Sequence, residues 1–538
     1  MKMSLTSNLK VKFLGITPVL RDKTGVLNPQ EIAALSALLT FKGKSIKQLL
    51  LDIKKKEGNI SQRVRTILQK SSLRGHASMA TTPSLCLTYE GSKFLDWALT
   101  GLYFSSSLVS SGRRTDTSEK DIIYPKAIYK NKKARDIYHA VCLNNINLHN
   151  YYLSQKVSKD EARKILQQGL YGTGIIQLPI ESIIAIKREY EAEKEWMPEE
   201  VGLFLQKIES EAKKLGVDWL YATRVAAPRT IYPYPNVFKN PATANLTREL
   251  RSDKNFNQGT KIVSIEALNS AGLKKELASL EKLQQKTFVS FSQIKKGWLE
   301  IMAKYQQICR DYNSVLNLKI LSAVPMGIWT EKKRHRSCRQ VVDSIYSSVD
   351  RAAAVFNKFN REIRTGWVNQ KVLIELEKVL SIPPTIKSNP IFLKSYLTAA
   401  LDSFVAYKQL IRLKIAPKDA VFLIPRSVKI DILQEYDLYN FLAGYYPTRL
   451  CTTADEEMRR NTLQEVVLMR KELARLGYGW LAKFLIPKCY LVGFCPEEKY
   501  CPMIYGLIKG YNEKFHQEMK AQLATKFENN LKNLGKQL

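Results

Sequence analysis

The sequence predicts a helix-rich α+β chain built as two related halves, each with a small mixed or antiparallel sheet. Length, periodicity and an internal repeat carry that expectation. At 538 residues the chain is too long for one ordinary domain, and 45% hydrophobic content with 25 Gly and 20 Pro describes a globular protein rather than a collagen-like or disordered one. Helical periodicity is clearest in IESIIAIKREYEAEKEW at 180–196 and from Asn461 to Leu476. The strand-like segments, SLCLTYEG at 84–91 and LKILSAVP at 318–325, are fewer and shorter.

The repeat sets the domain plan. VSKDEARKIL at 157–166 recurs as IAPKDAVFLI at 415–424, with Glu161-Ala162 answering Asp419-Ala420, and each copy follows an apolar-basic helix, HNYYLSQK or YKQLIRLK. Upstream of each lies a serine-bearing basic segment, SSGRR at 110–114 and RHRSCRQVVDS at 334–344. Between them, PRTIYPYPNVFKNP at Pro228–Pro241 is too irregular for a helix and suits a junction. Halves at 1–241 and 242–538, related by duplication and divergence, follow. The Lys-, Asn- and Gln-rich stretch Gly510–Leu538 reads as a solvated helix that frays.

Composition narrows the function. Lys+Arg 84 against Asp+Glu 50 leaves a net charge of +34, a potential that attracts polyanions, anionic lipid or phosphate-bearing ligands. The basic residues are spread along the chain, not gathered into one arm, so nucleic acid is not the expected partner. No apolar run reaches the roughly 18 residues of a membrane span; Trp97–Gly112 comes nearest and is interrupted by serines. The start, MKMSLTSNLKVKFLG, lacks a secretory apolar stretch, so a cytoplasmic protein without membrane attachment is expected. Eight cysteines are too few for a disulfide scaffold, and Cys489, Cys495 and Cys501, six apart, do not match zinc spacing, so no metal is expected. The G-x-x-x-x-G-K-[ST] motif is missing, and Gly169, Gly172 and Gly174 do not fit G-x-G-x-x-G.

Arg334-His335-Arg336 is the most anion-seeking triplet. Two guanidiniums flanking an imidazole can grip a pyrophosphate bidentately while the ring stacks or donates. With Ser344 following after seven intervening residues, the stretch reads RHR-x7-S, and here the sequence resembles the flavin-dependent thymidylate synthases. RGHASMATT at 74–82 is similar to the family's Gly-His-x-Ser/Thr segment, through His76 and Ser78, with Thr81-Thr82 where Glu-His is expected. DEAR at 160–163 resembles its Glu-Ala-Arg helix, and RLCTTADEEMRR at 449–460 its R-L-C-x-x-A-Q-W-E-I-R, with Ala454, Glu457 and Arg459 kept and Asp455 in place of Gln. The likeness spans roughly residues 30–500, twice over, and is closest to tandem members with two fused synthase-like halves.

The departures are complementary. In the first half the RHR position falls on Gly101-Leu102-Tyr103, although Ser111-x-Arg113 keeps the S-x-R ending; in the second, Tyr346 replaces that arginine, Glu331 a glutamine, and Val421 the arginine after Ala420. The resemblance implies reductive methylation of dUMP to dTMP, with methylenetetrahydrofolate supplying the carbon and FAD, reduced by NADPH, the hydride. Because the family builds its sites at subunit interfaces of a homotetramer, it also implies a homodimer acting as a pseudo-tetramer. It assigns Ser111, Arg113, Arg163, Arg336, Ser344 and Arg459 to the nucleotide, His76, Ser78, Arg334 and His335 to FAD, and Arg459 and Ser344 to catalysis. Such a site must hold a phosphate and stabilise charge developing on the uracil carbonyls, which calls for fixed arginines and hydroxyls. As a nucleophile Ser344 has no histidine base placed beside it by the sequence. Simpler readings stand beside these: Ser158-x-x-Glu161 is a capping box with Arg163 paired back to Asp160, and Arg459 suits an ordinary helix surface. The alternative function is a catalytically degenerate homologue acting as a basic nucleic-acid-binding or structural protein.

Overall fold

The computed structural model describes residues 4–22, 25–57, 60–73, 78–102, 104–111, 115–226, 235–251, 259–285, 291–487, 489 and 513–536. They form an α+β protein of two compact units, Met1–Thr243 with Ser344–Val428, and Ala244–Asp343 with Lys429–Leu538. Each unit holds one four-stranded antiparallel sheet. In the first the order is Lys10–Thr17, Ser84–Ser92, Tyr171–Pro179, Ser106–Val109. In the second it is Thr260–Ala267, Leu316–Pro325, Lys429–Asp437, Arg339–Val342. Numbered along the chain, both sheets run first, second, fourth, third. A register shift sits between the first two strands of each, at Phe13/Gly15 and at Lys319/Ile320. The strand Ser84–Ser92 alternates half-buried and buried positions, so Leu85, Leu87 and Tyr89 form the core-facing row of a period-two element.

The segment linking the last two strands in chain order also recurs. Helices Lys126–Lys130, Lys132–Ser154 and Lys159–Ala162 and strand Tyr171–Pro179 reappear as Pro384–Ser388, Pro390–Arg412, Pro417–Ala420 and Lys429–Asp437, a constant displacement of 258 positions (132 to 390, 171 to 429). The local chemistry explains the match. Asn131 and Asn389 cap the two long helices, their side-chain oxygens accepting from Ala134 N at 3.1 Å and Ile391 N at 3.0 Å. Both helices then end through a lysine in the left-handed region, Lys156 at φ 63° and Lys414 at φ 64°, with Val157 N donating to Tyr152 O and Ile415 N to Leu410 O.

All six of these helices lie in the first unit, where the copies meet. Asn145 Nδ2 donates to Ser403 Oγ at 3.2 Å, and Tyr152 OH donates to Phe392 O at 3.0 Å with the two rings 5.4 Å apart. Beyond the helices the chains pair antiparallel. Gln168 N donates to Ile424 O and Arg426 N to Leu166 O, while Gly169 N donates to Phe422 O and Ser427 N to Lys164 O. Within each pair, one bond is the other displaced by 258, so the pairing has a local two-fold.

The 241/242 boundary therefore separates the two sheets but not the two compact units, because Ser344–Val428 packs with the first 243 residues. Ser344 Oγ donates to Lys239 O at 2.7 Å and Ile345 N to Val237 O at 2.9 Å, tying this piece to the buried end of the proline-rich stretch, of which residues 235–241 are described. The anticipated long helices run Ile180–Ala192 and Glu456–Arg475. The carboxy-terminal expectation needs correction. Glu513–Gly535 is helical but docked, with Phe527 and Leu531 in the hydrophobic core of the second unit and Glu528 paired to Arg470 at 2.9 Å. Among the described residues no helix is long and apolar enough to cross a membrane.

Candidate functional site

In the second unit the basic triplet sits where a short helix, Met326–Lys332, gives way to the edge strand Arg339–Val342. His335 N donates to Lys332 O and Cys338 N to His335 O, closing a tight turn that leaves Arg334 and Arg336 exposed and turns His335 partly inward. Asn440 clamps the turn from the neighbouring helix, accepting from Ser337 Oγ at 2.9 Å and Cys338 Sγ at 3.2 Å. Neither Arg334 nor Arg336 forms an ion pair among the described residues.

His335 is held by a residue the sequence reading used only as the first letter of RLC. Arg449 donates from Nε to His335 Nε2 at 2.7 Å and reaches Glu331 Oε2 from its Nη1 at 3.3 Å, while Tyr445 packs edge-on against the imidazole at 5.1 Å. Burial, with Arg449 and Lys332 acting the same way, pushes the His335 pKa down to about 3, so the ring is a neutral acceptor at Nε2. Glu331, which replaces a glutamine of the family pattern, thus has a defined job: it neutralises Arg449. Beneath the turn Lys332 and Glu465, both fully buried, pair at 2.6 Å, with Gln434 accepting from the same ammonium and Tyr446 and Ser322 donating to the carboxylate. Burial opposes the Lys332 charge, yet Glu465 more than offsets it, and the ammonium pKa is raised.

Arg163 lies in the first unit, just after Ala162, its side chain largely buried and 3.8 Å from Asp160. The capping reading is met in one direction: Ser158 Oγ accepts from Glu161 N, while the Glu161 carboxylate accepts from Thr385 N at 3.0 Å. Close by is Arg426, which the motifs did not mark. Burial pulls its pKa down to about 10, Arg163 acts in the same direction, and Asp96 opposes. Asp96 accepts from Tyr89 OH at 2.5 Å and pairs with Lys93, whose ammonium also donates to Ser110 O and Oγ. This pins the loop bearing Ser111 to the sheet.

The remaining expected site residues divide. Arg459 stands on the first turn of Glu456–Arg475, half-buried; that helix is capped by Asp455, whose carboxylate accepts from Glu457 N and Met458 N. Ser344 is fully buried with its hydroxyl on Lys239 O, so its observed role is to anchor the chain. Ser78 heads the short helix Ser78–Thr81. His76 and Arg113 lie outside the described residues. Of the second-half departures, Tyr346 and Val421 are buried, Tyr346 OH donating to Trp196 O. At the sequence position expected to correspond to RHR in the first half, Gly101 adopts φ 79° and Leu102 is buried.

Residues 292–473 match the family model described as thymidylate synthase complementing protein. Among curated proteins the chain is similar to the flavin-dependent thymidylate synthase of Pyrococcus horikoshii, 32% identical over 143 residues, which is 26% of this chain and 56% of the relative. The corresponding protein of Pyrococcus abyssi is 30% identical over 129 residues, 24% of this chain and 51% of the relative. The chain thus spans about half the length of the curated relatives it matches. Residues 292–473 are thus the part of the chain that is similar to flavin-dependent thymidylate synthases. Among solved structures it is similar to a UMP/dUMP methylase from Streptomyces cacaoi bound with 5-Br dUMP, at 10% identity and TM-score 0.31, covering 43% of this chain and 100% of the other. It is also similar to thymidylate synthase X from Helicobacter pylori with FAD and dUMP, at 11% identity and TM-score 0.29, covering 40% and 99%.

Proposed function

We propose that the chain is an FAD-dependent thymidylate synthase of tandem build that methylates dUMP to dTMP, taking the carbon from methylenetetrahydrofolate and reducing equivalents from NADPH. The observation that carries the reading is the exposed Arg334–Arg336 pair on a turn stiffened by Arg449 and His335, inside the segment that matches the family. Guanidiniums with no acidic partner among the described residues suit phosphate oxygens, so the residues present fit FAD, and Arg334 would hold its diphosphate while Arg336, beside it, takes the nucleotide. Bound there, FAD supplies hydride chemistry that no side chain can. The chain's own residues bind and orient: Arg163 and the Ser111 loop take the nucleotide, and Arg449 keeps His335 neutral beside the turn. The shared strand order and the 258-residue recurrence support the tandem build. Two such chains would complete a four-half assembly.

The purified full-length protein should be yellow, with a flavin absorbance band that is lost in the Arg334→Ala/Arg336→Ala variant while the melting temperature is kept. A colourless, folded wild-type protein that takes up no added FAD would overturn the enzyme reading. The net charge of +34 favours one other reading, a degenerate homologue that binds nucleic acid. Salt-sensitive RNA or DNA binding by a flavin-free chain is the result that would select it.

A further inference from the structure

The first unit holds its own concentration of donors. Where the segments 164–168 and 424–427 pair, several buried side-chain atoms have no hydrogen-bond partner among the described residues: Arg426 Nε, Gln167 Nε2 and Oε1, Gln168 Nε2 and Ser427 Oγ. His149 Nδ1, on the helix Lys132–Ser154, is another, and His149, Gln167 and Ser427 are at most 3% exposed. Arg426 is bonded through its backbone to Leu166, three residues from Arg163, and forms no ion pair among the described residues. Asp96, the carboxylate that acts on Arg426, is committed to Lys93 and Tyr89, and Asp160 is paired with Arg163.

Buried donors without acceptors are costly, more so on a charged group, and a ligand rich in acceptor oxygens relieves both costs at once. Guanidinium, amide and hydroxyl donors in a region of net positive charge are the chemistry of phosphate recognition. The local two-fold sharpens the point. The positions related to Arg163 and Arg426 by 258 are Val421 and Gln168, neither charged, so one side of the dyad concentrates both guanidiniums.

We propose that Arg426 and Arg163 form a buried anion site in the first unit that takes the phosphate of a nucleoside monophosphate, with Arg426 a binding residue supplied by the second repeat. The nucleotide part rests on the synthase reading, whereas the phosphate part stands without it.

Calorimetry on the full-length chain with inorganic phosphate, dUMP and deoxyuridine tests this. In Arg426→Gln, affinity for phosphate and for dUMP should fall on the order of ten- to a hundredfold, as loss of one charge-assisted contact requires, with deoxyuridine binding unchanged. Arg426→Lys, which keeps the charge but not the fork, should lose less, and it serves if the glutamine variant does not fold. Unchanged phosphate affinity in a natively melting variant overturns the site, as does a wild-type chain that binds neither phosphate nor dUMP. Phosphate binding that depends on Arg426 in a chain that ignores dUMP keeps the anion site and sinks the nucleotide.

Discussion

Each sheet has a glutamate buried against its second strand, and the two units treat that charge in opposite ways. In the second unit Glu465 meets the ammonium of Lys332 and hydroxyls of Ser322 and Tyr446. In the first unit Glu200, 1% exposed, accepts from the backbone N–H of Ser92 at 2.8 Å and from the Ser92 hydroxyl, and forms no ion pair among the described residues. Burial therefore raises the Glu200 pKa to about 7, the Ser92 bonds opposing. Similar sheets can thus carry an ion pair under one strand and a near-neutral acid under the other. The RHR turn follows directly on Lys332, His335 N donating to Lys332 O, so the buried ion pair lies under the basic turn.

The largest expected effect comes from breaking the ion pair. Lys332→Met strands the Glu465 carboxylate and should cost about 3–5 kcal/mol, whereas Lys332→Met/Glu465→Leu should regain most of that. Urea unfolding of the second-unit transition measures both; a single variant as stable as wild type would show that the pair contributes nothing. Next is a pH effect in the first unit. The folded-state pKa of Glu200 lies above the ordinary 4.5, so the folded chain holds a proton that the unfolded chain releases, and stability falls as pH rises from about 4.5 to about 7. The Glu200→Gln variant should remove this slope, worth up to about 3 kcal/mol in the difference between wild type and variant. Equal slopes from pH 5 to 8 would mean Glu200 is ionised throughout. The smallest effect probes the repeat itself: Asn131→Ala and Asn389→Ala each remove an equivalent cap and should each cost about 1 kcal/mol. Unequal losses, read by thermal melts, would show that the two helices are not energetically alike.

The repeat was legible because the stretch from the first cap to the last strand has no insertion or deletion, so DEAR and KDAV occupy the same register in sequence and in space. Carried two residues beyond Ile424, the same register would have paired Arg426 with Gln168 and drawn notice to it. The RHR turn was legible for another reason: its arginines are exposed and form no ion pair among the described residues, so burial does not hide the motif. What the sequence did not disclose depends on burial. Nothing in RLC announces that Arg449 reaches back to His335, and Ser344, a ligand by pattern, spends its hydroxyl on Lys239 O. The interleaving of the units was also hidden, because the apolar faces of Lys132–Ser154 and Pro390–Arg412 match each other as well as any local partner.

That interleaving sets the order in which a ribosome can deliver a finished protein. The first unit lacks a piece until Val428 has been made, and the sheet of the second lacks its strand Lys429–Asp437 until a few residues later. Neither can close early. At typical elongation rates of about 5–20 residues per second, the helix Lys132–Ser154 waits on the order of ten seconds or more with its partner unmade, so nascent chains are where chaperone dependence should concentrate.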